Sequence, residues 1–170
     1  MDSDTFDSVA DGVRRQIDPR WIPLQRVHGL VFTGVAALAS LMATVTLSVA
    51  NGGAWLVIML PLWTGAVAAL AWQMRRWPPM AYRFTSYVVD DAGLEIARGV
   101  YWRTVTNIPR SRIQHTDVSQ GPLERRHGLG TLVVYTAGTQ HSEVKLPGLE
   151  FATAQRIRAH LLPRDEGDAV

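Results

Sequence analysis

The sequence of 170 residues contains no cysteine and only one lysine, Lys145. The absence of cysteine excludes disulfide bonds, thiol catalysis and cysteine-ligated zinc or iron–sulfur sites. Acidic and basic side chains nearly balance, and residues 75–170 carry a net charge of 13 − 10 = +3. Because this is far from the basic stripe of a nucleic-acid-binding protein, we expect no nucleic-acid partner.

Charge is also absent from two long apolar segments. Residues 27–50 and 54–74 are runs of 24 and 21 residues without Asp, Glu, Lys or Arg. At about 1.5 Å per residue, each forms a helix that crosses a hydrocarbon core of about 30 Å. The first run far exceeds the roughly 7–15 apolar residues of a cleaved signal peptide. The two runs therefore predict a transmembrane hairpin in a lipid bilayer, with its turn at Asn51-Gly52-Gly53.

Basic residues flank this hairpin at both ends but are missing from its turn. The flanking arginines are Arg14, Arg15, Arg20 and Arg26 before the first run, and Arg75, Arg76 and Arg83 after the second. The positive-inside rule then predicts two spans with both termini in the cytoplasm. Trp21 is expected as an interface anchor. No ionisable residue lies in mid-span, which favours an anchor over a transport path.

Small residues recur every four positions along both predicted helices. The first stripe is Ala36, Ser40, Thr44 and Ser48, and the second contains Pro61, Gly65 and Ala69. Small residues let helix backbones approach closely in lipid. The stripes predict packing within the hairpin or between copies, unless they merely reflect how frequent small residues are in this chain.

Beyond Trp77-Pro78-Pro79, which is expected to end the second helix, the pattern changes to short strands. The predicted strands are residues 82–89, 94–101, 102–108, 112–119, 129–136 and 142–146. Helical spacing follows over residues 150–162, with Ala154, Ile157 and Leu161 on one face. Six or seven strands followed by one helix indicate a small antiparallel barrel or sandwich capped by a C-terminal helix.

The expected organisation is therefore an α+β membrane protein in five segments. They are an N-terminal cytoplasmic tail and juxtamembrane segment (1–26), the two-helix transmembrane hairpin (27–74), a linker (75–81), the strand-rich domain (82–162) and a polar tail (163–170).

Several short motifs in the strand-rich part occur in a recognisable order. They are Ile108-Pro109, Arg112-Ile113-Gln114, the segment QGPLER at 120–125, the segment GLGTL at 128–132, and Leu146-Pro147-Gly148. With the preceding helices, this order resembles the bacterial pleckstrin-homology (PH) membrane proteins of the small YdbS-like kind. The resemblance implies two nearly orthogonal antiparallel sheets with seven strands and a C-terminal helix, in a bacterial plasma membrane. It implies no activity, because PH-like folds serve lipid binding, docking and assembly alike.

Four arginines near these motifs form the candidate anion- or partner-binding set: Arg110, Arg112, Arg125 and Arg126. Guanidinium groups bind phosphate or carboxylate oxygens bidentately. The alternative is a solvated surface with local ion pairs. The turn at Asp90-Asp91, taken as the first hairpin loop, is acidic and argues against phosphoinositide binding there.

Catalytic residues are not evident in the sequence. His115 and Asp117 share one face of a predicted strand, but no further group completes a catalytic or metal site. We expect no enzyme activity, no cofactor and no metal. The favoured function is a membrane-anchored PH-like module for protein interaction or assembly, a scaffold that docks another PH-domain membrane protein or a second copy through exposed strand edges at 103–120. The alternative is a membrane-surface sensor that binds anionic lipid headgroups through the arginines.

Overall fold

The computed structural model describes residues 10–137 and 143–161. The chain divides into two compact units. One is the N-terminal segment through Trp21 together with the chain from Ala81 onward, and the other is Ile22–Met80.

Two long helices form most of the second unit. Helix α1 is Trp21–Ala50 and helix α2 is Leu56–Arg83. By length and composition, both are able to cross a membrane. The turn between them uses Gly52 and Gly53 at positive φ, +83° and +76°, which favours glycine.

Helix α2 runs beyond its predicted end. Trp77-Pro78-Pro79 was expected to stop it, but the helix continues to Arg83, so this prediction is wrong. Residues 75–81, predicted as a linker, are helical. Each proline keeps a helical φ, removes its own N–H donor and crowds the carbonyl four residues earlier, and the helix continues through the pair despite this local cost.

Within the described residues of the first unit, seven antiparallel strands form two sheets. The four-stranded sheet has the order β1 (Arg15–Gln16), β2 (Ser86–Asp90), β3 (Gly93–Arg98) and β4 (Thr104–Pro109). The three-stranded sheet has the order β5 (Ile113–Ser119), β6 (Leu129–Thr136) and β7 (Glu143–Glu150). A 3₁₀ turn at Arg110–Arg112, helix α3 (Pro122–His127) and the C-terminal helix α4 (Phe151–Leu161) complete it.

This arrangement confirms the predicted fold class. The core contains the inward residues of both sheets, among them Leu94, Ile96, Leu132 and Leu146. Helix α4 packs on all three strands of the second sheet. Its predicted face is confirmed, because Ala154, Ile157 and Leu161 are fully buried.

The first strand was not predicted, because it lies before the membrane hairpin. Arg15 and Gln16 pair with Tyr87 and Ser86 of β2. The hairpin is thus the connection between the first two strands of the sheet. The acidic turn at Asp90-Asp91 closes the β2–β3 hairpin as predicted, and because β1 precedes it this turn joins the second and third strands of the sheet.

Residues 12–21, here called the N-terminal clasp, bridge both sheets. The Gly12 N–H donates to the Val89 carbonyl of β2 at 3.0 Å, and the Asp18 N–H donates to the Gly148 carbonyl of β7 at 2.7 Å. Trp21 is only 8% exposed. A Cβ at Gly148 would lie 2.6 Å from Trp21 Cδ1. The expectation that Trp21 is an interface anchor is therefore wrong, since its ring packs on β7.

Candidate functional site

Arg110 and Arg112 lie in the 3₁₀ turn between β4 and β5. The turn is fixed at both ends by backbone hydrogen bonds: the Arg110 N–H donates to the Ala92 carbonyl at 2.8 Å, and the Ala137 N–H donates to the Arg112 carbonyl at 3.0 Å. The Arg112 side chain is exposed. The turn therefore presents Arg112 from a rigid backbone.

Arg125 and Arg126 lie on α3, which Glu124 holds at its N-terminus. Glu124 Oε2 accepts the Gly121 N–H at 2.7 Å, and Oε1 accepts the Thr131 hydroxyl at 2.9 Å. The side chains of Arg125 and Arg126 are exposed on this capped helical turn, and the Glu124 carboxylate is already used by Gly121 and Thr131.

The structure does not bring the four arginines together. Arg112 lies beside Ala137, after the C-terminal end of β6, whereas α3 is tied to Thr131 near the N-terminal end of that strand. Strand β5 has seven residues, so at about 3.3 Å per residue its ends are roughly 20 Å apart. The expected single cluster is thus two separate pairs, and anion or partner binding by either pair stays a prediction.

Strand β4 is an edge of its sheet. It pairs with β3 on one side, and among the described residues no strand pairs with its other side. Thr104, Val105 and Asn107 are exposed along it. A groove of about 130 Å³, here called the β4 groove, runs beside it and is lined by residues 106–109, Arg112, Thr136, Ala137 and Val144.

His115 and Asp117 form an exposed pair on β5. His115 Nε2 lies 3.0 Å from Asp117 Oδ1, and both side chains are at least half exposed. The described ranges contain no group of three or more His, Cys, Asp or Glu side chains placed to hold a metal ion. The pair is a surface hydrogen bond, and the centre of the His115 ring lies 5.9 Å from the centre of the Tyr135 ring.

In the helical hairpin, the predicted α1 stripe lies partly against α2. Ser48 is buried, Ala36 and Thr44 are half-buried, and Ser40 Oγ accepts the Trp63 Nε1–H at 2.9 Å. Further along, a Cβ at Gly29 would lie 3.1 Å from Met74 Cβ, so the helices approach closely there.

The predicted α2 stripe has a different environment. Gly65 and Ala69 are exposed, and a Cβ at Gly65 would meet nothing within 4 Å. These two residues therefore do not pack on α1, and their packing against another molecule stays a prediction.

Sequence reasoning also missed the loop between β3 and β4, residues 99–103, here called the β3–β4 loop. Residues 94–101 and 102–108 were predicted as strands, but β3 ends at Arg98 and β4 begins at Thr104. Trp102 is 88% exposed and Tyr101 is 75% exposed. The sequence signal for this loop was a pair of adjacent aromatic residues after a glycine, but aromatic residues are also typical of strands.

The two sheets, the capping helix and the two apolar helices define a PH-like membrane protein. The family model for the bacterial PH domain matches residues 29–165, and the chain belongs to this family. The chain is 28% identical over 151 residues to the transmembrane protein YdbS of Bacillus subtilis (strain 168), covering 85% of this chain and 88% of that protein. No solved structure matches. The resemblance drawn from the motifs is confirmed, and the protein is a membrane-associated PH module with transmembrane helices.

Proposed function

We propose that this protein is a non-enzymatic assembly module of the bacterial plasma membrane. Its PH-like domain lies in the cytoplasm and docks another PH-domain membrane protein or a second copy of this chain. The observation that carries the proposal is the unpaired side of β4 in the described part of the chain, with the β4 groove beside it.

An unpaired strand edge is suited to binding by strand addition. A peptide that lies along β4 gains main-chain hydrogen bonds, and neighbouring pockets select its side chains. Val105 supplies exposed apolar surface, and Arg112 supplies a positive charge at the groove. An incoming strand with apolar and acidic side chains fits this chemistry.

The basic flanks of the hairpin support a cytoplasmic domain. Arginines lie before α1 and near the end of α2, whereas the turn carries no charge. The pairing of β1 with β2 supports two termini on one side, because these strands directly precede and follow the two helices.

A non-enzymatic role is supported by the family and by the surface. His115 and Asp117 are solvated, and in the residues the structure describes no third His, Cys, Asp or Glu side chain completes a metal-binding group with them. Catalysis by a pair of this kind needs an orienting group and an enclosed site.

Purification of the full chain from its native membrane in mild detergent, followed by sizing with mass analysis, tests the proposal. We expect a dimer or a complex with a second PH-domain protein, and Val105→Lys should disrupt it by placing a charge on the strand edge. Val13→Lys is the matched control, because Val13 is 54% exposed and Val105 is 51% exposed. A monomer without a partner, or equal effects of both variants, would contradict the proposal.

Binding of anionic headgroups is the second candidate function, and the exposure of Arg125 and Arg126 favours it. No ion pair to either side chain occurs among the described residues, so both are available for phosphate oxygens. Mass spectrometry of the lipids retained by the full chain tests it, with the double variant Arg125→Gln, Arg126→Gln compared against Arg156→Gln. Equal retention of anionic lipid by the parent and both variants would exclude this function.

A further inference from the structure

The β3–β4 loop exposes aromatic side chains at one defined end of the first sheet. In an antiparallel meander the β1–β2 and β3–β4 connections lie at the same end, and the β2–β3 turn lies at the other. The β1–β2 connection is the membrane hairpin. The register agrees, because Ser86 at the start of β2 pairs both with Gln16 of β1 and with Ala97 near the end of β3.

The same end of the sheet contains the last residue of α2. A cavity of about 320 Å³, here called the exit cavity, is lined by Arg83 and Phe84 together with loop residues that include Gly99, Tyr101 and Arg103. None of its lining side chains is acidic. The apolar run of α2 ends at residue 74, nine residues before Arg83, which is about 14 Å of helix. The chain that lines the cavity therefore follows shortly after the end of the membrane-spanning run.

Gly99 gives the loop its shape. Its φ is +120°, and a Cβ there would collide with the Trp102 carbonyl oxygen. Only glycine allows this turn without a rearrangement. The turn folds the backbone on itself and leaves the Trp102 ring in solvent, although an exposed tryptophan is unfavourable in water.

We infer that the β3–β4 loop is a membrane-contact site that inserts Trp102 into the headgroup layer of the bilayer crossed by α1 and α2. Tryptophan rings favour this layer because they combine an apolar body with a polar N–H. Arg83 and Arg103, on the exit cavity, face the lipid phosphates. The site is distinct from the β4 groove, and the inference does not depend on docking there.

The absence of cysteine in the sequence allows a direct test with single labels on the full chain. Tyr101→Cys carries a polarity-sensitive fluorophore beside an intact Trp102, and Ala92→Cys carries it at the opposite end of the sheet. The proteins are reconstituted in phosphatidylcholine vesicles that contain phosphatidylglycerol. Quenching is measured with a lipid that bears a nitroxide near its headgroup and with aqueous iodide.

We expect the lipid nitroxide to quench the label at position 101, and iodide to quench only the label at position 92. Adding Trp102→Ser should abolish most of the lipid quenching at position 101 and make that label accessible to iodide. Equal iodide quenching at both positions, or no effect of Trp102→Ser, would overturn the inference. Protection of position 101 in native membranes but not in vesicles would also overturn it, because a protein would then cover the loop.

Discussion

The contact between Trp21 and Gly148 predicts a strong dependence of domain stability on the N-terminal clasp. Trp21 is 8% exposed and lies against a backbone position where any Cβ would lie within 3.0 Å of three of its atoms. Gly148 has φ +76°, which disfavours other residues. Trp21→Ala and Gly148→Ala therefore perturb the same contact from its two sides.

The expected costs follow from burial and backbone strain. Replacing a buried tryptophan with alanine costs about 3–5 kcal/mol in free energy of unfolding. Alanine at position 148 costs about 1–2 kcal/mol for the left-handed backbone. Displacing the Trp21 ring adds about 1–3 kcal/mol of overpacking. In the Trp21→Ala protein the ring is absent, so Gly148→Ala costs only the backbone term. The coupling energy between the two substitutions should therefore equal the overpacking term, about 1–3 kcal/mol.

Hydrogen–deuterium exchange of the full chain in detergent measures these costs. Amides of β2 and β7 should exchange faster in each single variant, by roughly 100-fold or more for a cost of about 3 kcal/mol. Gly128→Ala is the matched control, because Gly128 has φ +66° and its Cβ would have an ordinary neighbour at 3.6 Å. It should show the backbone cost alone, with or without Trp21.

Additive effects would refute this reasoning. If Gly148→Ala cost the same in the Trp21→Ala protein as in the parent, within about 0.5 kcal/mol, the ring would not rest on β7. A clasp that releases without change in β7 exchange would lead to the same conclusion.

Three further predictions concern single polar groups. A hydrogen bond from the Arg20 guanidinium lowers the pKa of Asp18. The stabilisation that this contact gives the folded protein is therefore complete above the ordinary pKa of 3.8, and it is lost as the pH falls through the lower pKa of the folded state. The Asp18→Asn variant should not show this loss of stability at acid pH, and thermal unfolding at several pH values measures it. The loss is under about 1 kcal/mol because the carboxylate is partly solvated. Trp63→Phe removes the hydrogen bond to Ser40 and should weaken the hairpin by about 0.6–2 kcal/mol in denaturant titration in detergent. Glu124→Ala removes two hydrogen bonds and should cost about 1–3 kcal/mol, seen as faster amide exchange in α3.

Each of these predictions has a control on an exposed residue of the same type. The stability at acid pH should be unchanged in Asp91→Asn, and the stability of the hairpin should be unchanged in Trp55→Phe. Amide exchange in α3 should be unchanged in Glu143→Ala. An acid-side loss of stability that persists in the Asp18→Asn variant, a Trp63→Phe hairpin as stable as the parent, or unchanged exchange in α3 would contradict the respective prediction.

Much of the fold could be predicted because its signals are strong and local. Two uncharged runs predicted α1 and α2, short aromatic and β-branched segments between turn signals predicted six strands, and Ala154, Ile157 and Leu161 predicted the buried face of α4. Strand β1 could not be predicted in this way. It has only two residues, which is too short for a period, and its partner lies about 70 residues later across the hairpin.

The candidate site was less predictable because it depends on long-range geometry. Arg112 and Arg125 are close in sequence, but an extended strand separates them. The exposure of Trp102 was also hidden, because an aromatic residue predicts strand or core until the constraint at Gly99 is seen. Gly65 had the spacing of a packing residue, but spacing does not say which face meets α1.

The insertion of the hairpin between β1 and β2 makes domain folding a check on membrane insertion. During synthesis β1 emerges first, and its partner emerges only after both helices have been made. If one helix failed to insert, β1 and β2 would be left on opposite sides of the bilayer. The clasp would then be lost and the Gly148 surface would be uncovered. A completed first sheet therefore requires that both helices cross the bilayer or that neither does, and a chain with only one inserted helix would display an unfinished edge to cellular proteases.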